Sequence, residues 1–461
     1  MTPMWSQAPR RVLTIAFVVG LAVRVVILAN TGGLGTQIMD EQQYSQIAQN
    51  IAAGHGFAWG PGEPTSIRPP LYSGLLAGIW SFSPNNLQAV RLLQILCGLA
   101  TAALVYLLGS RVYGPTVGAW AAAACWLYPS LIFFNFLILT ETLFTCLLVA
   151  FVLLTVLVVQ TPRAWLALAC GLTLGLATLT RSILWPLPLI LCPLLAVLIR
   201  APLARRLALP CLVLAGYALV VAPWAIRNTR LQRVVTIVDT MGGINLRMGN
   251  YEYTPDDRMW DAVALGGEKS WVHGLVSDPS NPLTEGQKEK WAQRKAIEYM
   301  RANPRITLRR AFIKFADFWG LEREFVAGVQ NGLYTPPVWF QLAGSLAIVL
   351  GYVALVLAGV AGIWLAAPAD WRLHLVLLLP VVVIMGAHTI VFGHSRYHLP
   401  LMPLFAVYAA ALVARRPLGR VSRRPLLVGA ALTATVLLAV WIHQIAGSDF
   451  GRIAALLHQR R

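Results

Sequence analysis

Charge is what this 461-residue sequence has least of. Asp, Glu, Lys and Arg make up 12% of it, against 57% hydrophobic residues. A soluble domain carries about twice that charged fraction, so a water-soluble globular protein is excluded. Acids are the scarcer sign, 19 against 37 Lys and Arg, which leaves a net charge of +18. Such an excess on one soluble face would suggest nucleic acid. Here the basic residues cluster at the ends of apolar runs, as the positive-inside rule produces, and a nucleic-acid partner is excluded. The six cysteines (Cys97, Cys125, Cys146, Cys170, Cys192, Cys211) show no CxxC spacing and fall in or beside apolar runs. They read as small buried hydrophobes, with neither a zinc site nor a disulfide framework. No Gly-rich loop ends in a Walker-type Lys, which argues against ATP hydrolysis. No internal repeat is present.

What is there is a series of apolar runs of membrane-crossing length. The sequence predicts an all-α, polytopic membrane protein with eleven spans (eleven to thirteen), at about 12–29, 87–109, 116–134, 142–160, 164–180, 183–199, 207–225, 338–366, 372–392, 399–414 and 426–446. The first run follows Arg10 and Arg11 and lacks a small-residue cleavage site, so it reads as an uncleaved helix rather than a signal peptide. Three regions result: residues 1–225 as an N-terminal transmembrane module with its outer loop at 30–83, 226–337 as a polar extracytoplasmic region, and 338–461 as C-terminal transmembrane helices. In the first outer loop, Tyr44, Ile47, Ala48 and Ile51 recur at helical spacing over 41–53, suiting a helix in the interface plane. Leu71–Phe82 is apolar but too short to span. The polar region predicts a helix near Glu285–Arg301, and the basic-apolar stretch Ile306–Trp319 suits a membrane surface.

The same count puts the arginine clusters at 10–11, 200–206 and 415–424 on the cytoplasmic side. It gathers Asp40, Arg68, Glu141, Arg181, Arg227, the polar region and Arg396 on the other. Asp40 and Glu41 are candidate general bases; Asp40, with Gln43 three residues on, is equally a helix-capping pattern. Arg68 precedes Pro69–Pro70, which stiffen the backbone. It suits a phosphate, which guanidinium grips bidentately, or a lipid headgroup. Glu141, in an apolar run, is either a functional acid or the acid of a helix N-terminus. Arg181, Arg227 and Arg396 are outward cations at helix ends, suited to phosphate or to anchoring. His394 and His398 stand four residues apart, but no HExxH glutamate accompanies them, and no metal or other cofactor is expected.

In order, MDEQQYSQIAQNIAAGHGF, SIRPPLYSGLLA, LTETLF, PWAIRN, GGINLRMGN and RYHLPLMP resemble segments of the GT-C integral-membrane glycosyltransferases, in the dolichyl-phosphate-mannose–protein mannosyltransferase and aminoarabinose-transferase superfamily. The resemblance covers roughly residues 10–410. It implies a sugar transferase using a polyprenyl-phosphate donor and a lipid, glycan or protein acceptor, in the inner membrane with its site facing outward. Asp40 falls on the family's essential aspartate, Arg68 on a basic residue at the donor phosphate, and Glu141 on the second-loop acid. Arg181, Arg227 and Arg396 would help hold the phosphate, and Tyr44, Asn250, Tyr397 and His398 would shape the pocket. Eleven spans is fewer than the thirteen of some members, and 227–337 does not form a separate C-terminal soluble domain. The competing class, a flippase for lipid-linked sugars, predicts pseudo-symmetric halves and mid-span polar residues, and the sequence displays neither.

Overall fold

Proline and glycine decide where these apolar runs become separate helices. The computed structural model describes residues 8–256, 258–271, 283–414 and 424–449. Its helices are α1 (Ala8–Asn30), α2 (Met39–Ala52), α3 (Pro70–Phe82), α4 (Leu87–Tyr113), α5 (Pro115–Leu127), α6 (Pro129–Phe134), α7 (Glu141–Gln160), α8 (Ala164–Thr178), α9 (Pro188–Leu198) and α10 (Leu203–Gln232). There follow α11 (Gly242–Gly249), α12 (Glu285–Ala302), α13 (Pro304–Phe318), α14 (Glu324–Gln330), α15 (Val338–Leu365), α16 (Trp371–Ile390), α17 (Met402–Ala414) and α18 (Arg424–Gln444). Among the described residues there is no strand, only an isolated bridge between Ala58 and Pro64. The chain is an all-helical, multi-pass membrane protein.

Eight helices among the described residues are long and apolar enough to cross a membrane. The expected spans at 116–134, 164–180 and 183–199 are shorter than that. The first breaks at Tyr128–Pro129 into α5 and α6, because Pro129 has no N–H to continue the ladder. The second is the 15-residue α8; the third opens with a short 3-10 turn, Ser182–Leu184, before α9. In contrast, α10 carries Pro210 and Pro223 without stopping and runs to Gln232. Arg227 and Asn228 are therefore helical, not the start of the polar region. The expected cytoplasmic arginines 415–423 lie outside the described residues, as does the tail beyond 449.

Helix pairs pack most closely where a side chain is missing. α8 and α10 meet at Gly171 and Gly216: a Cβ on Gly171 would strike the Val213 carbonyl, and one on Gly216 the Leu168 carbonyl. Small residues let membrane helices approach backbone to backbone in this way. The main core joins α4, α5, α7, α8, α15, α16 and α17 through residues such as Leu148, Val152, Leu174, Tyr352 and Phe405. A second cluster joins Tyr44 and Ala48 of α2 to Tyr72, Leu76, Ala77 and Trp80 of α3. The apolar stripe of α2 is thus spent on α3, not on lipid. Burying each of these larger side chains contributes about 1.5–3 kcal/mol.

The helix expected near Glu285 is α12, capped by Thr284, whose Oγ1 accepts from Gln287 N (3.2 Å) while Gln287 Oε1 accepts from Thr284 N (2.9 Å). The next helix, α13, keeps Leu308 and Phe312 exposed.

Candidate active site

The site lies where the connections α1–α2, α2–α3 and α6–α7 meet the turn before α17. Two residues of α4 tie those loops together. Arg91, 1% exposed, donates to the carbonyls of Thr31 (2.7 Å), Leu34 (2.5 Å) and Phe136 (3.1 Å). Gln94 donates to the carbonyls of Asn135 (2.9 Å) and Leu137 (2.8 Å). The segment that ends in Glu141 is thereby fixed against the segment that leads into Asp40.

Five of the expected residues meet there. Asp40 stands in the first turn of α2. Its Oδ1 receives Arg68 Nη2 at 2.5 Å and its Oδ2 receives Arg396 Nη2 at 2.8 Å. Arg396 continues through Nε to Glu141 Oε1 at 3.0 Å, and Arg181 Nη1 reaches the same oxygen at 3.2 Å. Three guanidinium groups therefore surround the two carboxylates they pair with directly. Tyr397 lies beneath this charge, with the guanidinium carbons of Arg181 and Arg396 5.2 and 5.6 Å from its ring. Tyr44 lies 5.2 Å below Arg68. Burial works to raise the Asp40 pKa, but the charges and hydrogen bonds of Arg396 and Arg68 prevail and hold it well below the usual carboxylate range.

The two acids are held differently. Asp40 is 23% exposed at its side chain, Glu141 only 2%. Both Glu141 oxygens are buried without a well-aligned hydrogen bond, so its contacts with Arg181 and Arg396 are ion pairs alone. An arrangement of this kind is open to a change of partner.

Four expectations need correction. Glu41 does not face the arginines. It is the third residue of α2, and its Oε2 accepts from Gln37 N (2.7 Å) and Ile38 N (3.0 Å) while Oε1 accepts from Ile138 N (2.8 Å). It is the helix cap, not Asp40. Arg227 donates to the carbonyls of Thr65 (2.6 Å) and Phe57 (3.1 Å), and its guanidinium stacks over Trp224. This binds the loop before Arg68 to α10. Asn250 is turned to Lys314, whose Nζ donates to Asn250 Oδ1 and to the Ile390 carbonyl, both at 2.8 Å. His398 points away into the core, its ring nitrogens meeting the Phe318 carbonyl and Glu322 Oε1. His394 instead pairs with Glu324 at 3.3 Å, so the two histidines serve different carboxylates. Among the described residues no group of three or more His, Cys, Asp or Glu is placed to hold a metal ion.

Three further residues complete the site, none of them assigned a part in it from the sequence. Gln43 Oε1 accepts from Arg68 Nε (2.9 Å) and Nη2 (2.6 Å); its place three residues after Asp40 on a helix was a usable signal. Asp239 acts on Arg68 electrostatically. Burial pushes its pKa up, against hydrogen bonds from Ser182 and from Met241 N. Glu285 accepts from Thr65 Oγ1 (2.7 Å) and Ser66 N (2.8 Å), clamping the approach to Arg68.

Residues 67–226 match the family model described as dolichyl-phosphate-mannose-protein mannosyltransferase, a stretch that takes in Arg68, Glu141 and Arg181 but not Asp40 or Arg396. Among solved structures, the chain is similar to the apo oligosaccharyltransferase of Archaeoglobus fulgidus, at 15% identity and TM-score 0.53, over 96% of this chain and 56% of that one. The chain thus spans little more than half the length of that enzyme. It is also similar to ArnT from Cupriavidus metallidurans bound to undecaprenyl phosphate, at 15% identity and TM-score 0.41, over 86% and 77% of the two chains. Among curated proteins no sequence match is found.

Proposed function

We propose, from the premise that this chain has the fold of the GT-C superfamily, that it is a membrane glycosyltransferase. It moves one sugar, a hexose or pentose, from a polyprenyl-phosphate carrier to a lipid, glycan or protein acceptor at the outer face of the inner membrane. The observation that carries this reading is the cluster of Arg68, Arg181 and Arg396 around Asp40 and Glu141. Clustered guanidinium groups beside an acid suit a phosphate leaving group on one side and a hydroxyl nucleophile on the other. The match to the mannosyltransferase family model supports the donor class.

The acceptor oxygen attacks the anomeric carbon opposite the phosphate. Its new bond to carbon forms as the carbon–phosphate oxygen bond breaks, and the bonding pair leaves with the polyprenyl phosphate. Asp40 takes the acceptor's proton. Arg68, Arg181 and Arg396 stabilise the charge that develops on the phosphate. Glu141 orients Arg181 and Arg396.

The test uses the purified protein in nanodiscs with a panel of synthetic polyprenyl-phosphate sugars and a membrane extract as acceptor source. Polyprenyl phosphate release is followed by mass spectrometry. Release from one donor, abolished in Asp40→Asn, supports the transferase. Translocation of intact donor without release overturns it in favour of a flippase.

A further inference from the structure

The proposed reaction makes two demands on Asp40 that this geometry sets against each other. In a displacement at carbon, attacking and leaving oxygens lie on opposite faces. The base therefore belongs on the side away from the phosphate. Yet Asp40 is bonded directly to two of the arginines that would hold that phosphate, Arg68 at 2.5 Å and Arg396 at 2.8 Å. The Nε–Nη2 edge of Arg396, the edge suited to a bidentate phosphate, is divided between Asp40 and Glu141. The same edge of Arg68 is taken by Gln43 and Asp40.

Resting on the glycosyltransferase reading, we propose that Arg396 exchanges partners during the reaction: it pivots on Glu141, leaves Asp40 for the donor's phosphate, and so frees Asp40 to act as base. Several features equip it for this. Its contact with Glu141 is an ion pair without hydrogen-bond alignment, which tolerates rotation. Arg181 shares the same Glu141 oxygen, so that acid stays neutralised throughout. Tyr397, the next residue, supplies a flat face along which both guanidinium groups slide at little cost. Arg68 is the fixed partner, tied by Gln43 and by the stiff Pro69–Pro70 backbone. The order of events follows: donor first, base second. Without donor, Asp40 is held in ion pairs, and no hydroxyl is activated.

The consequence is an effect opposite to the usual one. A catalytic residue ordinarily leaves binding unchanged or weakened when it is substituted. If the phosphate competes with Asp40 for Arg396, Asp40→Asn tightens carrier binding. The experiment measures affinity for a synthetic polyprenyl monophosphate, without sugar, in nanodiscs, for wild type, Asp40→Asn and Asp239→Asn. Asp239 lies near Arg68 but makes no contact with Arg396, so Asp239→Asn reports the general effect of removing one negative charge. Thermal unfolding checks that each variant folds. Asp40→Asn is expected to bind about tenfold tighter, the worth of roughly 1.4 kcal/mol, and Asp239→Asn less than about threefold tighter, roughly 0.6 kcal/mol on the same scale. Equal or weaker binding by Asp40→Asn overturns the exchange while leaving the transferase reading in place. Equal tightening by both variants overturns it too, because that is simple charge removal. Failure of the wild type to bind the monophosphate at saturating concentration overturns the transferase reading and the exchange with it.

Discussion

Arg396 and His398 lie two residues apart in one 3-10 turn, Ser395–Leu401, and each meets a carboxylate of a different kind. On one side of the turn, Arg396 joins Asp40 and Glu141 in a chain of ion pairs, some of them poorly aligned. On the other side, Glu322 accepts from Tyr128 Oη (2.9 Å), from Ser130 Oγ and, at 3.1 Å, meets His398 Nε2. His398 is fully buried and stacked between Tyr352 and Trp319. Its Nδ1 donates to the Phe318 carbonyl, and its Nε2 meets Glu322 Oε1. One acid is fully satisfied and cannot move without a large cost. The other is paired in charge but not in geometry. The difference separates a hinge pin from a working part within a single turn of chain.

The comparison breaks most decisively at Asp40. Asp40→Asn is expected to lower turnover by about 10²–10⁴-fold, the usual range for losing a general base. Its ion pairs are less enclosed than those of Glu322, with side chains 15–23% exposed, so unfolding should shift by less than it does when Glu322 is removed. Glu322→Ala should do the reverse. It leaves His398, Tyr128 and Ser130 unpaired in the core and is expected to destabilise the protein by about 3–5 kcal/mol, read from thermal unfolding in detergent. If Asp40→Asn proved the more destabilising of the two, the distinction would fail.

A pH series probes the wall behind the site. Burial pushes the Lys314 pKa down to about 7. Between that value and the ordinary 10.5, the unfolded chain binds a proton that the folded one does not. Stability therefore rises with pH, by up to about 2–3 kcal/mol from pH 7 to 9, and Lys314→Met should flatten that slope. Smaller still is Glu41→Gln. Weakening its three backbone contacts is expected to cost about 1–3 kcal/mol, with carrier affinity retained. The smallest effect belongs to Arg227→Lys, which should lower stability by about 1 kcal/mol through lost carbonyl contacts and leave carrier affinity unchanged. A clear loss of affinity there would return Arg227 to the phosphate group from which its geometry removes it.

The cluster was legible in the sequence because each member lies in or beside a connection that the span count puts on one side. Counting spans and sorting arginines by side was enough to put Asp40, Arg68, Glu141, Arg181 and Arg396 together. Distinguishing Asp40 from Glu41 needed the helix start, since moving α2 by one residue would exchange their directions. Arg227 was placed at the start of the polar region because the span was expected to end near 225, whereas α10 carries Pro223 and continues to Gln232. Asp239 and Glu285 lie in polar sequence whose pattern gives no sign of what they face. The contacts of His398 join residues 80 apart in the chain, through the carbonyl of Phe318, which no side-chain pattern encodes.

One feature bears on how the protein is made. Arg24 lies within the first membrane-length helix, 1% exposed, donating to the Gly20 and Trp126 carbonyls and to Asn135, with its guanidinium 3.6 Å above the Trp126 ring. Trp126 stands 102 residues later. During synthesis α1 therefore reaches the bilayer carrying a charge whose partners outside α1, Trp126 and Asn135, have not yet been translated, at a penalty of about 2.5–3.5 kcal/mol. Arrival of α5 relieves that penalty and closes the ring of Trp126 over Gly20, where any Cβ would collide with it. The first helix is thus a provisional guest until the middle of the chain emerges, and assembly of the N-terminal half carries its own built-in checkpoint.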